Sequence, residues 1–551
     1  MRKLKRLPIG DSDFKTIIED NMYYIDKSML IKEIIEGGRV ISITRPRRFG
    51  KTLNMSMLKY FFRNDQDNKH LFENLKIWYE KEIIEKHLNK YPVIFVTFKD
   101  LKKKNYNDMI KGMRELISKL YNNYVYLLKT DKITKWDKKR IIEILDKTAD
   151  NILFEESLKN LVEYLYLYHG KKAILIIDEY DTPIQQSYLK GYYDEFISFI
   201  GNMLGNALKD NEYLEKAILT GITRVAKESI FTGVNNLDIS TVLNKLYNDK
   251  FGVTKEELEE ILKYYRIENK ENKIIEWYNG FNFGEKEVYN PYSIINFVRS
   301  KEIRNYWINS SGNQLIKDLI RKGTEETKIK IGDLIEGKTI ESTINENLVY
   351  GDLNENVEES IWTLFLFTGY LTWIDKEGEG NSAIYRLKIP NKEAKEFYEM
   401  TVLNILKESS IEYNKIIKLL INGKKIEFTN EFKDAVEKSI SYYDVSGKEP
   451  ERFYHGLILG MSVGLEREYI IKSNREAGIG RADLILIPKE KTKPGIIFEF
   501  KKFSRDFDKN LKDSAERGMA QIEEKGYEKE IKSYGVEKVI KVVIAFDKKS
   551  Y

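Results

Sequence analysis

Three short groups of residues in this 551-residue chain have the types and spacing of reaction centres. The first is Gly50-Lys51-Thr52, inside the stretch TRPRRFGKTLNMSML from Thr44 to Leu58. Backbone N–H groups at a helix start favour an anion; Lys51 would reach the β- and γ-phosphates of a nucleotide, and the Thr52 hydroxyl would ligate Mg²⁺. The second is Asp178-Glu179, at the end of AILIIDEYD, where the aspartate can hold the metal's water shell and the glutamate can orient or deprotonate an attacking water. The third is Asp483 in GRADLILIP together with Glu499 and Lys501 in IIFEFKKF. Two carboxylates and an ammonium suit Mg²⁺ or Mn²⁺ and the hydrolysis of a phosphodiester, with Asp483 and Glu499 as metal ligands.

Each group needs an element to present it. GRVISI (Gly38 to Ile43) is a β-rich run and LNMSMLKYFF has an apolar helical face, so the loop lies between strand and helix. The loop carries Arg45, Arg47 and Arg48 and no acid, and Arg48 is expected among the nucleotide contacts with Gly50, Lys51 and Thr52. It departs from G-x-x-x-x-G-K-[ST] at its first position. Arg45 resists the φ > 0 that a glycine allows and Pro46 removes a donor, so weakened or altered binding is one expectation. Further apolar strands at YPVIFVTF, KKAILIIDEYDTPI and KAILTGITRV, alternating with helical patterns, predict a parallel sheet covered on both faces. Thr220, ending the last of them, is a candidate for the γ-phosphate and Arg224 for a charge sensor. A second stretch, GDLIEGKT (Gly332 to Thr339), satisfies the phosphate-loop expression in full but is rejected, because Asp333 and Glu336 would sit beside phosphates and no convincing helix follows.

From Thr254, whose T-x-x-E pattern with Glu257 predicts a capping box, the pattern turns helical through the segment with WYNGFNF and YNPYSIINFV, as in a lid. IWTLFLFTGYLTWI is too short to span a bilayer and predicts a buried helix leading into a strand. The two alternating runs after it predict a hairpin like that of a winged helix. SGKEP (Ser446 to Pro450) marks entry to a separate α/β unit with the order helix, three strands, helix, strand. There, Glu499 and Lys501 are two apart and share a face. Asp483 joins them if PKEKTKPG closes a hairpin, and Gln521 on the following helix could order the site. Glu451 is a further acidic candidate.

Composition narrows the classes. The chain has no cysteine and four scattered histidines, His70, His87, His169 and His455, which excludes disulfides, zinc-thiolate sites and thiol catalysis. Ninety-two basic against 87 acidic side chains leave +5, so any nucleic-acid footprint must be local. The N-terminus lacks the apolar core of a secretory signal, and the expectation is a soluble, cytoplasmic protein without a membrane partner.

RPRRFGKTLNMSML, YIDKSMLIKEI, LIIDEYDTPI and LTGITRVAKESIFTGVNNL together resemble the bacterial AAA-ATPase-like family whose members usually end in a PD-(D/E)XK nuclease-like domain. The likeness extends over essentially the whole chain, and the missing first glycine is that family's own pattern. It implies an α/β multidomain chain. A P-loop NTPase parallel sheet would occupy 1–253, a helical lid 254–345, a winged-helix-like and helical linker region 346–445, and a restriction-endonuclease-like αβββαβ domain 446–551. It implies ATP with Mg²⁺, Glu179 as the ATPase catalytic residue, and Asp483, Glu499, Lys501 and Gln521 as the nuclease set. The implied partner is nucleic acid, DNA before RNA, with a homo-oligomer also open. A nucleotide-controlled switch with an inactive, DNA-holding nuclease-like domain is the alternative.

Overall fold

The computed structural model describes residues 4–546 apart from 224–236, 311–312, 336, 355–356, 409–412, 441–457, 459–460, 463–464, 466–467, 474–482 and 505–506. Arg224, Glu451 and SGKEP lie outside the described residues. The chain divides into two compact units, Met1–Tyr398 and Glu399–Tyr551.

The first unit is built on five strands: β1 (Val40–Thr44), β2 (Val93–Thr97), β3 (Ala173–Asp178), β4 (Leu214–Gly221) and β5 (Leu237–Ser240). All pair in parallel, in the order β2-β3-β4-β1-β5. Every residue of β1 and β3 is buried, as expected of apolar runs with helices on both faces. Strand β4 separates β1 from β3, so the loop after β1 and the acids after β3 meet across one intervening strand end.

Arg45 does not occupy the strained position that its place in the motif suggests. The left-handed residues of the loop are Arg48, at φ 68°, and Gly50, at φ 81°. Arg45 is instead fully buried, turned away from the loop's open side. Its guanidinium donates to the carbonyls of Thr44 (2.8 Å), Ser240 (3.0 Å), Leu246 (3.2 Å) and Tyr247 (3.4 Å) and to Ser240 Oγ (3.1 Å). The rings of Phe251 and Phe283 flank it. Burial pulls its pKa down to about 9, which still leaves it charged at neutral pH. The substitution of the motif's glycine thus supplies an anchor between the loop and the chain beyond β5.

The Thr254–Glu257 capping box is present in full, opening the helix Lys255–Tyr265. Helices Glu271–Tyr278, Pro291–Ser300, Gln314–Lys322 and Glu325–Ile335 follow. The expected helix through WYNGFNF is corrected: it stops at Tyr278, and β6 (Phe281–Phe283) and β7 (Lys286–Val288) form a hairpin. The physical reason is Gly280 and Gly284, both at positive φ, which end the helix and turn the hairpin. Phe281 and Phe283 then close on Phe49 of the loop, with ring centroids 5.0 Å away.

The decoy GKT lies between a helix and β8 (Ile340–Thr343), the reverse of a phosphate loop. Gly337 at φ 84° ends the helix, and Lys338 pairs with Asp333 at 3.1 Å. Strands β9 (Thr372–Glu377) and β10 (Ile384–Lys388) form the expected hairpin, and β8 joins it in the order β8-β10-β9. The helix Val357–Thr368 leads into β9 through Gly369, whose missing Cβ would lie 3.0 Å from Pro46 of the loop. Among the described residues no helix is long and apolar enough to cross a membrane.

In the second unit β11 (Tyr469–Ser473), β12 (Leu484–Pro488), β13 (Gly495–Lys502) and β14 (Val539–Phe546) form one sheet in that order. The first three strands are antiparallel and β14 returns parallel to β13 through the helix Leu511–Lys525. Even-numbered Leu484, Leu486, Ile496 and Phe498 pack with Ile416, Leu420 and Phe432. Odd-numbered Ile485, Ile487 and Ile497 pack with Ile522 and Ile531. This parity decides which face carries chemistry.

Replacing Arg45 by glycine, which restores the motif, is expected to destabilise the protein by about 2–4 kcal/mol, because buried carbonyls lose a charged donor. Urea denaturation of R45G against wild type measures it.

Candidate functional site

At the carboxyl edge of the parallel sheet, Gly50 opens the helix Lys51–Phe62 in the left-handed region. Lys51 follows, buried, its Nζ donating to the carbonyls of Arg45 (2.8 Å) and Pro46 (2.9 Å). Burial lowers its pKa, while Glu179, Asp181 and Asp178 oppose that shift. Thr52 Oγ1 donates to Asp178 Oδ2 at 2.9 Å. The hydroxyl and carboxylate expected to share a cation are therefore already adjacent. This all-oxygen pair suits a hard divalent ion.

Asp178 is fully buried at the end of β3. Thr220 Oγ1 donates to its Oδ1 at 2.9 Å and Thr97 Oγ1 to its Oδ2 at 3.3 Å. Both come from positions directly in register on the flanking strands. Burial and the neighbouring Glu179 raise the pKa of Asp178, and the hydroxyls of Thr52 and Thr220 and the Lys51 charge counter them. Thr220, expected at the γ-phosphate, is wholly buried and directed at Asp178 here.

Glu179 is partly exposed and takes φ 54°, a conformation that costs about 1 kcal/mol or more for a residue with a Cβ. Its Oε2 accepts from Thr182 Oγ1 at 3.2 Å. Arg48, also at positive φ, is exposed; its guanidinium lies 4.8 Å from the Tyr292 ring centroid and donates to the Ser310 carbonyl at 3.3 Å. Sequence reasoning passed over Asp181 and Thr97. Buried Asp181 accepts from the N–H groups of Ile222 (2.7 Å) and Thr223 (3.0 Å), tying the DEYD turn to the end of β4. The last acid of DEYD and the threonine closing β2 were the available signals.

In the second unit, β12 and β13 pair with Leu484 opposite Phe498. One step further along this register Asp483 faces Glu499, on the odd-numbered side. Asp483 Oδ2 accepts from the Phe500 N–H at 2.7 Å. Glu499 Oε1 accepts from Lys501 Nζ (2.9 Å) and Gln521 Nε2 (2.5 Å), and Lys501 also donates to Gln521 Oε1 at 2.7 Å. The structure thus brings Asp483, Glu499, Lys501 and Gln521 together. Gly518 makes this possible, since a Cβ there would lie 2.5 Å from Val543 Cγ1 and 2.9 Å from Lys501 Cγ and hold the helix off the sheet. Tyr527, not foreseen, donates no charge but accepts from Gln521 at 3.3 Å.

Glu499 is 2% exposed. Burial, then the Asp483 charge, raise its carboxyl to about 7. Its Oε2 is buried with no hydrogen-bond partner, which is costly unless a positive group completes it. Among the described residues no three Asp, Glu, His or Cys side chains cluster as a metal site. Asp483 and the orphaned oxygen of Glu499 nevertheless fit a hard cation, with further positions left to water or nucleic-acid oxygens.

Residues 8–231 match the sequence model of a predicted AAA-ATPase family, and residues 449–551 match that of the PD-(D/E)XK nuclease superfamily. A protein of Azotobacter chroococcum mcd 1, described as an uncharacterized protein in the vnfD 5' region, is 25% identical over 393 residues, or 71% of this chain and 68% of its own length. Among solved structures, a signal transduction ATPase with numerous domains and a tetratricopeptide repeat sensor, from Pyrococcus horikoshii, is 14% identical with a TM-score of 0.27. That alignment covers 79% of this chain and 53% of the archaeal one, so the chain spans about half the length of that structure. A score this low carries no functional argument.

An acid held at about 7 when folded against 4.5 when exposed binds its proton more tightly in the folded state. The metal-free protein therefore loses stability as pH rises from 4.5 through 7. Glu499→Gln is expected to raise the melting temperature of the metal-free protein at pH 8 and to remove most of the stabilisation that Mn²⁺ gives wild type there. Differential scanning calorimetry at pH 5.5 and 8, with and without Mn²⁺, measures both.

Proposed function

We propose that this chain, which joins an AAA-ATPase-like domain to a carboxyl-terminal PD-(D/E)XK nuclease superfamily domain, binds and hydrolyses ATP to control cleavage of DNA. The observation that carries the first half is the 2.9 Å contact between Thr52 and Asp178, which joins the phosphate loop to the acid-bearing strand. Lys51 would exchange the carbonyls of Arg45 and Pro46 for phosphate oxygens, and Gly50 and Arg48 would border the same anion. Asp178, held by Thr97 and Thr220, keeps Thr52 in position. Glu179, beside it and reachable from solvent, would orient or deprotonate water.

At the carboxyl-terminal site Asp483 and Glu499 would hold Mg²⁺ or Mn²⁺. A divalent cation bound there would polarise the phosphodiester and lower the pKa of water. Lys501 would offset developing negative charge, and Gln521 fixes both Lys501 and Glu499 through its amide. DNA is favoured as substrate on superfamily grounds alone.

A second reading has an observation of its own. One oxygen of Glu499 is already taken by Lys501 and Gln521, which favours a domain that holds nucleic acid without cutting it, under the control of the nucleotide site.

With Mg²⁺, ATP hydrolysis is expected in wild type and a loss of about 10²–10⁴-fold in Glu179→Gln, with nucleotide binding retained. Plasmid incubated with Mn²⁺ and ATP should be cleaved by wild type and left intact by Asp483→Ala and Glu499→Gln. Cleavage by E499Q at the wild-type rate would remove the nuclease assignment. Tight binding of plasmid without any cleavage would support the second reading.

A further inference from the structure

The turn that follows β13 presents an apolar ring to water. Phe507, six residues beyond Lys501, is 77% exposed. Single exposed apolar side chains are common on protein surfaces; what sets this one apart is the bracing beneath it. The next residue, Asp508, is buried, and its Oδ2 accepts from the Ser504 N–H (3.0 Å), Ser514 Oγ (2.8 Å) and the Arg517 guanidinium (2.7 Å). The Ser504 carbonyl in turn accepts from the N–H groups of Phe507 (3.0 Å) and Asp508 (2.8 Å). One buried carboxylate thus pins the turn to the helix Leu511–Lys525, and the ring of Phe507 is left outside the packing.

The charge around the ring indicates what it meets. Arg517 brings its guanidinium to 5.9 Å from the Phe507 ring centroid while donating to the Lys502 carbonyl at 3.1 Å. It is itself exposed. Among the described residues from 501 to 517, the other exposed charged side chains are Lys502, Lys509, Lys512 and Glu516, three cations and one acid. Such a margin suits a polyanion, whereas an apolar protein surface would strip water from those charges at a cost.

Position ties the ring to the reaction centre. Arg517 and Gln521 are four residues apart on one helix and share a face, one turn or about 5 Å along its axis. Gln521 holds Glu499 and Lys501. Gly518, next to Arg517, is where that helix comes closest to Lys501. Arg517 and Phe507 therefore border the group formed by Asp483, Glu499, Lys501 and Gln521.

Bases inside a continuous duplex are stacked on one another and offer no face to a ring at a protein surface. An unpaired base does, and an aromatic ring beside a guanidinium is a platform on which bases of a single strand stack whatever their identity. We propose that Phe507 stacks on an unpaired base of a DNA strand whose phosphodiester reaches Asp483 and Glu499, with Arg517 against a neighbouring phosphate, so that the second unit selects single-stranded DNA over continuous duplex. The proposal rests on the nucleic-acid reading of that unit given above and names its substrate class. A negatively supercoiled plasmid, which opens locally, still offers such a strand.

The test measures binding of the full chain to a fluorescein-labelled DNA oligonucleotide and to the same strand in a blunt duplex, by anisotropy with Ca²⁺ in place of Mg²⁺ or Mn²⁺. Wild type is expected to bind the single strand about tenfold more tightly. Phe507→Ala should weaken the single strand about tenfold and leave the duplex within about twofold, with an unchanged melting temperature because the ring is exposed. Phe507→Trp should restore single-strand affinity, and its added emission should be quenched by the single strand and not by the duplex.

Single-strand affinity of F507A within about twofold of wild type would overturn the proposal. So would an equal loss on the duplex, or an effect of F507A confined to self-association in sedimentation. Should F507A melt lower than wild type, F507W decides, and an emission that the single strand leaves unquenched overturns the proposal. Wild type that prefers the duplex keeps the nucleic-acid reading and removes this one. Wild type that binds neither probe removes both.

Discussion

The arrangement of the first unit depends on keeping one carboxylate, that of Asp178, out of water. A buried acid is tolerated only when its oxygens are engaged, and here they are engaged from three elements: Thr97 on β2, Thr220 on β4 and Thr52 on the loop helix. Two of those threonines lie in register on the strands either side of β3. A shift of either strand by one residue would turn its hydroxyl to the other face of the sheet. The same carboxylate therefore fixes strand register and ties the loop to the sheet. Asp181 extends the arrangement to the end of β4 through two backbone N–H groups.

The second unit solves a related problem in a different way. Glu499 has one oxygen bound by Lys501 and Gln521 and the other left without a partner. Asp178 is satisfied in the resting chain, whereas Glu499 is held in a costly state by its surroundings. Desolvation beside Asp483 makes a proton or a cation the natural complement. Packing maintains this, because the helix carrying Gln521 can approach β13 closely only where Gly518 has no side chain.

Much of this was legible in the sequence, for identifiable reasons. Continuous apolar runs fixed the parallel strands, since residues buried on both faces leave little alternation, and the two-residue spacing of Glu499 and Lys501 set their common face. The role of Arg45 was not legible. A motif position predicts backbone geometry only if the loop follows the motif's path, and here the positive φ falls on Arg48 while Arg45 turns into the core. The β6–β7 hairpin escaped because three-residue strands carry almost no periodicity, although Gly280 and Gly284 bracket β6.

Gly369 touches the ring of Pro46 and stands three residues before β9. There is no slack segment between that touch point and the three-stranded sheet. A shift of the loop at Pro46 would push directly on the approach to β9, with Pro46 as a rigid tooth and the missing side chain at Gly369 as its notch. Any displacement of Pro46 would be passed to the three-stranded sheet by steric contact alone, over a path of three residues.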